Sequence, residues 1–282
     1  MRRLLASNFS RLIKSKVFWI CNLAIGLVAL ALLGQYYSEV QDGNTRSLEI
    51  MLFGYALLTG ILTPGFASLF LGTEYSNGTI RNKLIAGHSR IKLYLANLIT
   101  VFCAAVSFCF SYLVVTILIG PLLLGWPHIS GSLFIMLFLE TILTVAAFST
   151  LFTMLCMLQT SKSLATALSM ALAFMLLVMA VYGDNRLIAE ELEIYGYTSF
   201  ISEEGEAGYE PMTRPNPYYL GGALRKVYEF ESDLNPFAQS LQLVNRKETV
   251  EGAFGRMPWY SMAIALVNTA VGMFFFRKKD IK

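Results

Sequence analysis

Charged side chains are scarce in this sequence. Asp, Glu, Lys and Arg make up 15% of its 282 residues, where soluble globular chains carry about a quarter. Apolar residues fill the deficit at 55%, and the mean hydropathy is +0.56. These figures exclude a disordered chain, and a net charge of only +3 excludes a nucleic-acid binder. Cysteine is sparse as well: Cys21, Cys103, Cys109 and Cys156 all sit in apolar runs and read as small hydrophobes, not as a disulfide scaffold. With two histidines far apart and no paired cysteines, no metal site is expected. His88 lies in a basic loop and reads as solvated. No Gly-x-x-x-x-Gly-Lys-Ser/Thr phosphate loop occurs, and neither histidine falls in a span where it could activate a serine. The chain is expected not to be an enzyme.

What is present is a series of stretches free of Asp, Glu, Lys and Arg: 17–38, 50–73, 93–139, 141–161, 163–183 and 257–276. A bilayer core about 30 Å thick takes ~20 helical residues to cross. Five stretches fit one span each, and 93–139 is too long for one. Gly120-Pro121 and Gly125-Trp126-Pro127-His128 place a turn inside it. This predicts spans near 93–119 and 131–157, the second enclosing Glu140. The expected fold is an all-α polytopic membrane protein with six transmembrane helices. Ala29-Leu30-Ala31 imitates a signal-cleavage site but lies inside its apolar run, so a retained first span is expected.

The basic residues orient these spans. With the N-terminus inside, the inner segments hold 14 of the 22 Lys and Arg, against Glu74 and Asp280 as the only inner acids. The inner side then carries +12 and the outer side −8, which predicts both termini in the cytoplasm.

Residues 1–16 are expected to form an amphipathic interfacial helix, with Leu5, Phe9, Leu12 and Ile13 on one face and basic residues toward lipid headgroups; the other reading is a disordered basic leader that only enforces topology. The inner loop 72–92 holds the turn dipeptide Asn77-Gly78, with Thr79 as a candidate cap for a short helix from Ile80. The outer segment 184–256 carries net −6. Asp184-Asn185 is expected to cap a helix with Leu187, Ile188, Leu192 and Tyr195 on its apolar side, and Gly205, Gly208, Pro211, Pro215 and Pro217 to mark a loop. A second helix is expected near Tyr219, and Asn235-Pro236 reads as an N-cap opening a third. Residues 257–282 supply the sixth span and a short basic tail.

Glu140 is the one ionisable residue inside a span, where a carboxylate costs ~2.5–3.5 kcal/mol on insertion scales. Two readings stay open: a contact on a translocation pathway, or a carboxyl that is protonated or bonded to Ser or Thr of a neighbouring span. Met154, Met157, Met170, Met175 and Met179 are either an adaptable surface for amphipathic cargo or ordinary packing.

The loop GTEYSNGTIRNKL (72–84) resembles a motif of ABC exporter permeases of the second type: a Glu–aromatic pair and then Gly-Thr-Ile-Arg after the second span. The basic N-terminal helix is similar to that family's elbow helix, and Asn235-Pro236-Phe237 to a recurrent feature before its last span. The resemblance implies a permease dimer, homodimeric by expectation, bound to separate ABC ATPase subunits that supply ATP and magnesium. It makes 72–92 the coupling loop, with Glu74, Tyr75, Gly78, Thr79 and Arg81 as ATPase-coupling residues. The long outer segment is most like bacterial peptide and toxin exporters, such as those for phenol-soluble modulins or lantibiotics, in a bacterial plasma membrane. Export of drugs, sodium or polysaccharide, a secondary transporter using Glu140, and a membrane sensor or immunity protein stay open as alternatives.

Overall fold

Backbone N–H and C=O groups find no water in a bilayer core, so an apolar run must bond to itself as a helix. The computed structural model describes residues 1–43, 48–201, 207–245 and 256–280. Its chain order is α1 (Arg2–Lys14), α2 (Lys16–Gln41), α3 (Leu48–Met51), α4 (Tyr55–Ser76), α5 (Thr79–Ile85), α6 (Arg90–Leu124), α7 (Gly131–Leu158) and α8 (Lys162–Ile188). A hairpin of β1 (Leu192–Ile201) and β2 (Ala207–Pro215) follows, then α9 (Gly222–Leu234), α10 (Pro236–Asn245) and α11 (Met257–Lys278). Six of these, α2, α4, α6, α7, α8 and α11, are long and apolar enough to cross a membrane. They are the six expected helices, and the architecture is that of an all-α polytopic membrane protein.

The most enclosed of the six is α4, which packs against α2, α6, α7 and α8; α11 lies along α7 and α6. Small residues allow the close crossings. A Cβ on Gly60 of α4 would meet the Phe148 ring of α7 at 2.6 Å and Phe237 of α10 at 3.0 Å. At one end of the bundle lie α1, α5 and the tail after α11. At the other lie α3, the hairpin, α9 and α10, the last tucked among α8, α7 and α4.

The long apolar stretch divides as expected, but later than its glycine–proline pair suggests. Helix α6 runs through Gly120-Pro121 to Leu124, and Gly125, at φ +79°, ends it. Gly120 serves packing: a Cβ there would meet Leu48 at 2.5 Å. Thr79 is not a cap. Gly78, in the left-handed region at φ +63°, precedes α5, and Thr79 is its first residue. Asp184-Asn185 likewise opens no helix, because α8 continues through it to Ile188.

Leu192 and Tyr195, expected on that helix, lie on β1 instead. The run is rich in β-branched and aromatic residues and alternates, with one bulge between Ile194 and Gly196. Gly208, Pro211 and Pro215 accordingly fall in β2, whose outer edge tolerates proline. Gly205 lies outside the described residues. The expected cap at Asn235 is there: its Oδ1 accepts from the Phe237 N–H at 3.1 Å.

Candidate functional site

The motif Glu74-Tyr75 ends α4, and the two side chains grip different partners. Glu74 is 1% exposed. A carboxylate so enclosed must be met by charge and hydrogen bonds. The Arg11 guanidinium of α1 lies 2.8 Å from its Oε1, Lys83 of α5 pairs with the same oxygen, and Asn97 Nδ2 of α6 donates to Oε2 at 3.0 Å. Asn8 completes the ring, donating to Asn97 Oδ1 at 2.7 Å and accepting from Lys83 Nζ at 2.9 Å. The Arg11 guanidinium also lies 3.8 Å over the Phe70 ring. Burial pulls its pKa below the ordinary value, against the opposing effect of Glu74. One carboxylate thus ties α1, α4, α5 and α6 together.

Tyr75 turns the other way. Its hydroxyl donates to the Met157 carbonyl of α7 at 2.5 Å and accepts from Lys279 Nζ at 3.1 Å. Lys279 also donates to the carbonyls of Met157 and Gln159, at 3.0 and 2.9 Å. A cation thereby closes the C-terminal end of α7, where the helix dipole is negative. With no carboxylate in that set, burial pushes the Lys279 ammonium down to about 8. Arg90 closes α11 in the same way through the Phe276 and Lys279 carbonyls.

Between these anchors hangs α5. Ile80 is buried and Lys83 and Leu84 are half-buried, while Arg81, Asn82 and Ile85 point outward, Ile85 at 75% exposure. Gly78 sits in the open at its start, where a Cβ would meet nothing within 4 Å. Glu74, Tyr75, Gly78, Thr79 and Arg81 gather at one end of the bundle, but they divide in kind. Glu74 and Tyr75 face inward as braces, and Arg81 faces outward. The partners Asn8, Arg11, Lys83, Asn97 and Lys279 do not stand out as a set in the sequence. The signal for two of them is there: Leu4, Asn8 and Leu12 share one buried stripe of α1, and an asparagine in a span, Asn97, demands a partner.

Glu140 lies elsewhere, toward the hairpin end. It is 2% exposed among α7, α10 and α11. The Ser261 hydroxyl of α11 stands 3.2 Å from Glu140 Oε1 and 2.8 Å from Gln239 Oε1 of α10. Among the described residues Glu140 Oε2 has no hydrogen-bond partner. The methionines separate too: Met157 is buried beneath Asn97, while Met170, Met175 and Met179 are exposed along α8.

The family model described as "ABC-2 family transporter protein" matches residues 4–180, from α1 to the last part of α8, and so includes every member of the Glu74 cluster. No curated protein matches the chain. With well over half of its length matched, on six membrane-length helices, the chain belongs to the ABC-2 transporter family, the membrane permeases that work with an ABC ATPase.

Proposed function

We propose that this permease is the membrane subunit of an ATP-driven exporter in a bacterial plasma membrane, with both termini cytoplasmic and α5 as the docking element for its ATPase. The observation that carries this reading is the division of α5 into a fastened face and a free one. Lys83 is held by Glu74, while Arg81, Asn82 and Ile85 remain outside. An arginine beside an exposed isoleucine is the composition of an interface anchor. A push on α5 reaches α1 and α6 through Glu74, and α7 and the tail after α11 through Tyr75.

The chain itself contributes no ATP site; ATP and magnesium belong to the partner, and two permease copies form the working unit. Exposed Arg2, Arg3, Lys14 and Lys16 on and beside α1 suit anionic headgroups. The cargo we propose is an amphipathic peptide. The spans offer it no charge but Glu140, and α8 presents Met170, Phe174, Met175 and Met179 on its exposed side. Glu140 reaches a pathway only when α10 moves, since α10 and α11 cover it.

The test pairs outward and inward variants in the reconstituted permease–ATPase complex. Arg81→Glu and Ile85→Asp should each weaken ATPase association by about tenfold, the effect of losing ~1.4 kcal/mol at an interface. Glu74→Gln should leave association near normal and uncouple hydrolysis from export. Normal association and export in all three variants would overturn the docking role.

A further inference from the structure

The Ser261 hydroxyl has one hydrogen and two acceptors. Glu140 Oε1 is 3.2 Å away on α7, and Gln239 Oε1 is 2.8 Å away on α10. A hydroxyl beside an ionised carboxylate donates to it through a short bond of ~2.5–2.7 Å. Here the shorter bond goes to the neutral amide. Thr144 of α7 is a weaker partner for Gln239: its Oγ1 lies 3.4 Å from Gln239 Oε1 and shares its one hydrogen with the Glu140 carbonyl, 3.1 Å away. The amide nitrogen of Gln239 is engaged at the Asp233 carbonyl of α9, 2.6 Å away. The bond from Ser261 is therefore what ties this side chain of α10 to α11.

No cation among the described residues is placed to meet Glu140. Over 236–244, α10 has no titratable residue. On α11 the nearest in sequence to Ser261 are Tyr260 and, at the start of the helix, Arg256, which stands 4.0 Å from Asp233 of α9. From α4 comes Tyr55, and from α6 Cys109 and Tyr112, all buried and uncharged at neutral pH. On α8, Asp184 and Arg186 lie at the hairpin end. An ionised Glu140, with one oxygen unpartnered at membrane depth, lacks the compensation that Glu74 receives.

We propose that Glu140 is a proton-binding site that fastens α10 to the bundle. With the proton on, Oε1–H donates to Ser261 Oγ and Ser261 donates onward to Gln239, a chain with one direction. With the proton off, Ser261 turns its only hydrogen to the carboxylate, and Gln239 loses its tie to α11 and keeps only the longer 3.4 Å contact to Thr144 of α7 on that oxygen. The ligand is a proton, and its site is the Glu140–Ser261–Gln239 chain. This goes beyond the exporter reading and stands whether or not α5 docks an ATPase.

The experiment uses the full-length chain in lipid nanodiscs. Infrared difference spectra at neutral pH should show a protonated-carboxyl C=O band that disappears in Glu140→Gln. In a background with the native cysteines replaced, Ala238→Cys on α10, a buried position, reports loosening through labelling by a small thiol reagent. Its labelling rate, divided by that of the same cysteine with Glu140→Gln, should rise severalfold with pH. Gln keeps an N–H donor toward Ser261 and so stays fastened. Absence of the band overturns proton binding. A flat rate ratio beside a normal band overturns the fastening.

Discussion

At the scale of single residues, the informative contrast is between two buried carboxylates. Glu74 has two cations and an amide, whereas Glu140 has one hydroxyl. The sequence made both visible as acids in unusual places, but not the direction in which Glu74 points. That depends on Arg11, Lys83 and Asn97, which come from three other helices. Lys279 is a half-buried charge, and it gives a signed prediction. Its amine holds a proton to about 8 in the folded chain and to 10.5 in its ordinary state. Between those values the unfolded chain binds more protons, so stability rises with pH across that window. Below about 8 both states are charged and the full cost of burial is present. In detergent, the Tm of the wild-type chain should therefore climb from pH 8 to about 10.5 relative to Lys279→Met. A constant difference would show that Lys279 is solvated.

At the scale of elements, close crossings depend on glycines that no periodicity reveals. Gly272 of α11 lies against the Tyr94 ring and hydroxyl of α6, so a Cβ there has no room. The Tyr94 hydroxyl is itself buried without a partner among the described residues. Gly272→Ala should therefore destabilise by about 1–3 kcal/mol, the usual cost of overpacking. Tyr94→Phe should restore part of that loss, because it removes the nearest obstructing atom and an unpaired polar group but leaves the ring carbon Cζ 2.6 Å from the new Cβ. Thermal unfolding of the two single variants and the double variant measures this coupling; additive losses would contradict the packing explanation.

The spans were legible because six apolar runs of membrane length leave little choice of structure. The hairpin was not. Leu187, Ile188, Leu192 and Tyr195 fall at helical spacing by coincidence, and the alternation of Leu192, Ile194 and Tyr197 is hidden by the bulge between Ile194 and Gly196. A period of two with one slip looks, over so short a run, like a period of 3.6. The Asn235-Pro236 cap was readable because both residues act locally, whereas the burial of Phe237 against Gly60 and Phe148 is long-range and was not.

At the scale of the whole molecule, on the proposed reading, one end of the bundle is a transmission and the other a fastening. The Glu74 ring and the Tyr75–Lys279 contacts join five of the six long helices or their immediate ends: α4, α6 and α7 directly, α2 through α1, and α11 through its tail. Only α8 stands apart from this linkage at the residues named, and it is α8 that carries the exposed methionine side. Ser76, Asn82 and Ile85 lie at the terminal end, whereas Tyr209, 77% exposed, lies on the hairpin.

The central claim is that α5 meets the ATPase. Site-specific photo-crosslinking in the assembled permease–ATPase complex tests it most directly, with the photoreactive residue at Ile85 in one sample and at Tyr209 in another. Docking through α5 predicts a covalent adduct between the permease and the ATPase subunit from Ile85 and none from Tyr209. An intact complex that yields no adduct from Ile85, or one that yields it from Tyr209, would contradict it.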